Sequence, residues 1–353
     1  MIPAEATRRD VQASRRGGKL LPLLGILLVT GGLILLGWFA YLWFTPAAAP
    51  YHYQLIKEGK VDQFPELELS AWPDLTIKKY EVRVAEIDKP LGQATVAQRG
   101  NSAPVLIHWE NNTSELLVAI DQKPSELSAI ASAIQKHAPQ DALILSWWDT
   151  SRQINLLTGH ETLFTSYLGV PQILPAQWQE QSASIRAYET EFWHSNASPQ
   201  EQDKFQRFSE ALLAPAEEGV AQLRALIGSN REAYLLVHVT DLYKLGLMYP
   251  DKFGITYQGF PLTGNMHGLI NHMKVQLKNN DFDTYTLQSL SDSEIRAFFL
   301  TSAEDSNTLL AQLFPFAEKT APLELEAAQL AYQHGSYWVY NIPKQQIAEK
   351  DRQ

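Results

Sequence analysis

Hydrophobic and polar positions divide this chain into one long apolar block and a much longer stretch of short periodic segments. The block, Leu20 to Phe44 (LLPLLGILLVTGGLILLGWFAYLWF), runs 25 residues without a charge. At about 1.5 Å of rise per residue, a helix of that length crosses a hydrocarbon core of about 30 Å with some tilt. Beyond it, Thr45–Pro50 (TPAAAP) reads as a stiff tether and Tyr51 to Asp74 as an irregular lead-in. Thr76–Val84, Val105–Trp109, Glu115–Asp121, Ala142–Trp148, Ala233–Thr240, Tyr285–Leu290, Glu294–Leu300 and Tyr337–Ile342 have the short apolar or alternating character of strands. Pro124–His137 repeats apolar residues at Leu127, Ile130 and Ile134, the spacing of one helical face. Pro199–Ile227 predicts two helices broken near Pro215, and Gly264–Asn279 predicts a third with Ile270, Met273 and Leu277 together.

The order strand, helix, strand between Glu115 and Trp148 predicts a right-handed βαβ unit. The expected fold class is therefore α/β: a single N-terminal transmembrane helix followed by a mixed, largely parallel sheet flanked by helices. The expected divisions are a basic cytoplasmic segment (1–19), the anchor (20–44), tether and lead-in (45–75), a periplasmic α/β domain (76–342) and a polar tail (343–353).

Charge sets the orientation. Arg8, Arg9, Arg15, Arg16 and Lys19 precede the apolar block, against Glu5 and Asp10. The positive-inside rule then places the N-terminus in the cytoplasm and the rest in the periplasm, a single pass through a bacterial inner membrane with the bilayer contacted by residues 20–44. Trp38, Tyr41 and Trp43 suit an interfacial aromatic belt. Ala47-Ala48-Ala49 keeps a cleavable signal peptide open as the alternative to a signal-anchor, although the apolar run is long for one. The whole chain is −10 and residues 1–19 are +3, so the remainder is −13. An acidic outer domain argues against nucleic acid as a partner. With no cysteine, disulfides, thiolate metal sites, cysteine nucleophiles and haem attached through C-x-x-C-H are all excluded.

The chemistry-bearing residues cluster at two strand ends. The apolar run from Ala142 stops at Trp147-Trp148-Asp149, and the run from Ala233 stops at Asp241, which opens Asp241-x-x-Lys244-x-x-x-Met248. Ligands in open α/β sheets bind beyond the carboxyl ends of strands. Asp149 and Asp241 each stand where a helix N-cap would, which is the structural alternative to a role in binding. Lys244 and Met248 lie one turn apart, so all six residues are candidates for one partner- or peptide-binding pocket. No catalytic residues are assigned: G-x-S-x-G, Walker and G-x-G-x-x-G motifs are absent from the sequence. No metal or cofactor is assigned either. Of nine histidines the close pair is His267 and His272, and a spacing of five turns them about 140° apart on a helix, a poor chelate.

Two resemblances attach to these residues. Trp147-Trp148-Asp149 with the downstream D-x-x-K-x-x-x-M resembles the soluble domain of oligosaccharyltransferase catalytic subunits, whose WWDYG and DK motifs read the hydroxyl residue of the glycosylation sequon. The resemblance implies that Trp147, Trp148, Asp149, Lys244 and Met248 line a peptide pocket. Thr150-Ser151 replaces the Tyr-Gly of that motif, and the family's many membrane helices have no counterpart in a chain with one span, so glycosyl transfer is not implied. Over the whole chain, one N-terminal span, an outer domain of this size, the absence of cysteine and the stretch SWWDTSRQINLLTGHETLFTSYLGVPQILPAQW resemble HaoB-type hydroxylamine oxidation accessory proteins of ammonia-oxidising bacteria. That resemblance implies a membrane-bound, non-catalytic role in nitrification beside the multihaem hydroxylamine oxidoreductase. The alternatives are a peptide-binding chaperone-like domain or enzyme built on the Trp-Trp-Asp and Asp-x-x-Lys pocket, and a solute-binding sensor.

Overall fold

The computed structural model describes residues 20–44, 48–85, 87–228, 231–262, 266–317, 328–342 and 344. The chain divides into two compact units, residues 1–48 and 49–353. The first holds helix α1 (Leu20–Phe44), whose side chains from Pro22 to Tyr41 are exposed nearly all round, Leu27 and Leu28 by more than two-thirds. A helix apolar on every face has no polar side to turn to water. By length and composition it is able to cross a membrane. Residues 1–19, residues 263–265 and nearly all of the tail lie outside the described residues.

The second unit opens with a sheet absent from the sequence expectation in two of its four strands. β1 (His52–Lys60), β2 (Thr76–Arg83), β3 (Gly92–Gln98) and β4 (Val105–Asn111) pair antiparallel in that order. The irregular reading of Tyr51–Asp74 is corrected here. β1 is an edge strand exposed along most of its length, so it lacks the alternation that marks a half-buried strand. The chain after it makes 3-10 turns at Val61–Gln63 and Pro65–Leu67 that drive Val61, Phe64 and Leu67 into the core. β3 carries small residues, GQATVAQ, with no large apolar rhythm. Gly92 is required there, since a Cβ would lie 2.7 Å from the Glu110 carbonyl oxygen and against the Trp109 ring.

Helices then alternate with a second sheet. In chain order come α2 (Pro124–His137), β5 (Leu143–Leu145), α3 (Trp148–Thr158), β6 (Glu161–Thr162), α4 (Ser182–Phe192), α5 (Pro199–Leu213), α6 (Ala216–Ile227), β7 (Ala233–His238), α7 (Asp241–Met248), β8 (Ile255–Pro261), α8 (Met266–Asn280), β9 (Thr284–Ser289), β10 (Glu294–Leu300), α9 (Leu309–Gln312), β11 (Gln329–His334) and β12 (Tyr337–Ile342). The central sheet is ordered β11-β12-β7-β5-β6, and a three-stranded antiparallel sheet is ordered β8-β10-β9. The fold is mixed α/β, as expected, with parallel pairing confined among the described strands to β5–β6 and β5–β7. The βαβ unit starts two elements later than the sequence suggested, at β5. β4 belongs to the antiparallel sheet, and the parallel crossover runs β5–α3–β6. Glu115–Asp121 is not a strand either, and makes a single bridge between Leu117 and Ala119.

β5 and β7 read as continuous apolar runs because both of their faces are covered. Leu143, Leu145, Leu235 and Val237 face one core with Phe205, Phe208 and Leu223 of α5 and α6. Ile144 and Leu236 face the other with Ile130 and Ile134 of α2 and Ile154 and Leu157 of α3. Ser198 caps α5 by accepting from the Glu201 amide at 3.1 Å, and Pro215 separates α5 from α6. This double packing fixes the carboxyl ends of β5 and β7 side by side.

Candidate recognition cleft

Because β5 and β7 are parallel neighbours, the helices that follow them start next to each other. β5 runs through Ser146 into Trp147, which occupies the position before α3, and Trp148 and Asp149 open the helix. Asp149 is therefore inside the first turn and not the cap, a correction to its expected place. Its Oδ1 accepts from the Thr150 amide at 2.7 Å. Asp241 likewise begins α7, with Thr240 in the cap position. It reaches back to accept from the His238 amide at 2.9 Å. A carboxylate in the first turn sits favourably against the helix dipole.

Both carboxylates converge on one cation. Lys244 Nζ donates to Asp149 Oδ2 at 2.7 Å and to Asp241 Oδ1 at 3.1 Å. Its Nζ also lies 5.6 Å from the centroid of the Trp147 ring. The lysine and Asp241 are almost wholly buried, and Asp149 keeps about a quarter of its side chain exposed, 27%. Burial pulls the Lys244 pKa down, but the charges of Asp149 and Asp241 overcome it and raise it. Burial raises the Asp241 carboxyl, against the pull of Lys244. Behind them His238 is fully buried, which pushes its pKa well down and keeps the ring neutral.

Two members of the triad form part of the wall of a cleft. Trp147, Trp148, Asp149 and Lys244 line it; Asp241 stands behind Lys244, and Met248 packs half-buried against the main core outside the wall. Trp147 is buried and meets Phe205 edge-on, so it is a core residue with one side toward the cleft. Trp148 is half-buried, donates Nε1–H to the Val170 carbonyl and stands edge-on to Tyr167 at 4.8 Å.

The opposite wall was not foreseen. α4 carries Glu189, nearly all buried, whose carboxylate accepts from Tyr51 Oη, from Tyr53 Oη at 2.9 Å, from Tyr167 Oη at 3.4 Å and from Trp193 Nε1. Burial raises its pKa, and the four donors hold it partly back. The same burial and the neighbouring Glu189 charge push the Tyr51, Tyr53 and Tyr167 hydroxyls well up, so they stay protonated donors. Tyr51 and Glu189 are 138 residues apart. No local pattern could pair them, and the available signal was the aromatic density of Tyr188–Trp193. Arg152, one turn beyond Trp148, completes the charged lining.

Among the described residues no group of three or more histidine, aspartate or glutamate side chains is placed to hold a metal ion. Chemically the cleft offers aromatic walls, fixed hydrogen-bond donors and buried charge, the equipment of recognition.

No curated protein matches the chain. Twelve chains among solved structures do, including the crystal structure of the C. jejuni PglB C-terminal domain, 10% identical, with 61% of this chain and 98% of that chain covered at a TM-score of 0.34. A family model described as HaoA-associated protein HaoB matches residues 17–342, and the chain belongs to that family.

Proposed function

We propose that this protein is a non-catalytic accessory of hydroxylamine oxidation that holds the multihaem hydroxylamine oxidoreductase at the bacterial inner membrane or aids its maturation. Membership of the HaoA-associated family supports the accessory role. The observation that carries the anchored form of it is α1, a helix of 25 uncharged residues, exposed nearly all round from Pro22 to Tyr41 and preceded by five basic residues. In this reading residues 1–19 are cytoplasmic, 20–44 span the bilayer, and the α/β unit works in the periplasm. Tethering raises the partner's effective concentration at the membrane without any redox group in the tether itself.

The experiment is a gentle detergent extraction of the tagged protein from native membranes, with mass spectrometry and a haem absorption spectrum of whatever co-elutes. Near-stoichiometric oxidoreductase upholds the tether, and a colourless protein eluting alone sinks it.

A second reading is favoured by the cleft itself: a pocket for a protein segment or other ligand, with Trp147, Trp148, Asp149 and Lys244 at its wall and Asp241 and Met248 behind them. Asp149→Asn keeps the side-chain size and weakens the ion pair. Unchanged partner binding and unchanged hydroxylamine oxidation in that variant count against the pocket.

A further inference from the structure

Arg152 differs from every other charged group of the cleft. It is 5% exposed, yet it has no ion-pair partner among the described residues. Nη2 donates to the Pro104 carbonyl at 2.6 Å, and Nε is buried without an acceptor among them. Asp149, Lys244 and Asp241, by contrast, satisfy one another, and Glu189 is surrounded by donors. Burial brings the Arg152 pKa down to about 10, which leaves it a cation at neutral pH. A buried cation with spare donors is costly unless an anion meets it.

The surroundings say which anion. Arg152 lines the cleft one helical turn from Trp148, with its Cζ 5.8 Å from the Tyr167 ring centroid, and Tyr167 stacks in turn on Trp193. Val105, Leu106, Ile173, Leu174 and Ile185 give the lining an apolar stretch, while Asp149 and Lys244 on one wall and Glu189 on the other are held by partners of their own. A guanidinium fork matches the two oxygens of a carboxylate. A dianionic phosphate fits less well, since Asp149 and Glu201 both lie close enough to act on Arg152 electrostatically and would repel the second charge.

We propose that the cleft binds a monoanionic carboxylate on an apolar or aromatic body, with Arg152 as its counter-charge and Trp148, Tyr167 and Trp193 as its walls. This rests on the reading of the cleft as a binding site and is independent of the tether. The carboxylate can belong to a free organic acid or to the C-terminus of a protein chain.

The test uses the full chain in lipid nanodiscs, with tryptophan emission as the readout, since Trp147, Trp148 and Trp193 line the cleft. The probes are N-acetyl-phenylalanine, its carboxamide, and Gly-Gly-Phe with a free or amidated C-terminus. Each acid is expected to bind at least about tenfold more tightly than its amide, as a charge-assisted hydrogen bond replaces a neutral one. Arg152→Gln is expected to erase that preference while leaving amide binding in place, and Arg152→Lys to keep part of it. Tighter binding of the tripeptide acid identifies a protein C-terminus as the source, and equal binding of the two acids a small free acid; both uphold the proposal. Equal affinity for acid and amide, no binding of any probe, or a preference that survives Arg152→Gln overturns it. Because the acid-to-amide ratio is measured on the unaltered protein first, the proposal is exposed even if the glutamine variant does not fold. Oxidoreductase co-elution is a separate readout, so the tether and the cleft fail independently.

Discussion

The two walls of the cleft bury carboxylates by opposite means. On the α3–α7 wall, Asp149 and Asp241 are held by a cation, Lys244, at 2.7 and 3.1 Å. On the α4 wall, Glu189 is held by neutral donors, three tyrosine hydroxyls and an indole N–H. Opposite charge stabilises the ionised form directly, whereas neutral donors only soften the cost of burial. The first wall should therefore be indifferent to pH near neutrality and intolerant of losing its cation. The second should tolerate substitution better but respond to acid.

The largest effect is expected from removing the cation. Lys244→Met leaves Asp241 buried without its countercharge, at a cost of about 3–5 kcal/mol, the range for breaking a buried pair from one side. Denaturant titration of the full chain measures it. A loss under about 1 kcal/mol, the scale of an exposed ion pair, would show that the triad is solvated in practice.

Next comes Glu189→Gln. An amide can accept from some of the four donors but turns its own NH2 toward the others, so a loss of about 1–3 kcal/mol is expected. Its pH dependence carries the sharper signature. The Glu189 pKa is raised in the folded state. Between the unfolded value of about 4.3 and the raised folded value, the native protein holds more protons than the unfolded chain, so stability falls as pH rises through that window. Thermal melts between pH 4 and 7 should show the wild type gaining stability on acidification, relative to Glu189→Gln, as this group protonates. Parallel curves for the two proteins would mean that Glu189 titrates alike in both states.

What could be read from the sequence follows the same division between local and distant. β5 and β7 were legible because burial on both faces leaves an unbroken apolar run, and α2 because Leu127, Ile130 and Ile134 repeat at helical spacing. β1 and β11 were not, because each is an edge strand exposed along most or all of its length and its sequence is free to be polar. The triad was approachable because Asp149 and Asp241 each follow a visible strand. Glu189 was invisible because its partners come from Tyr51, Tyr53 and Tyr167 as well as from its own helix. A carboxylate satisfied by a cation one turn away leaves a local motif, and one satisfied by distant hydroxyls leaves none.

Asp149→Asn probes the exposed end of the charged wall. Asp149 keeps 27% of its side chain exposed and Lys244 retains Asp241, so the expected loss is about 1 kcal/mol, far below that of Lys244→Met. Equal losses from the two variants would mean that Lys244 depends on Asp149 and not on the buried Asp241.

The smallest effect is expected where the walls meet the rim. Trp148 Nε1–H donates to the Val170 carbonyl, and the ring stands edge-on to Tyr167. Trp148→Phe keeps an aromatic edge but leaves that carbonyl without its donor. The site is half-buried, so water can replace the lost N–H, and the cost should stay at about 0.5 kcal/mol, the low end for one hydrogen bond. The informative comparison is with the ligand probes. If Trp148 is a wall of the cleft, its substitution should weaken the acid and the amide by the same factor, because the ring touches the body they share and not the carboxylate. A loss confined to the acid would place the charged group against Trp148 rather than Arg152, and would move the recognition of charge from the Arg152 side of the cleft to the Asp149–Lys244 side.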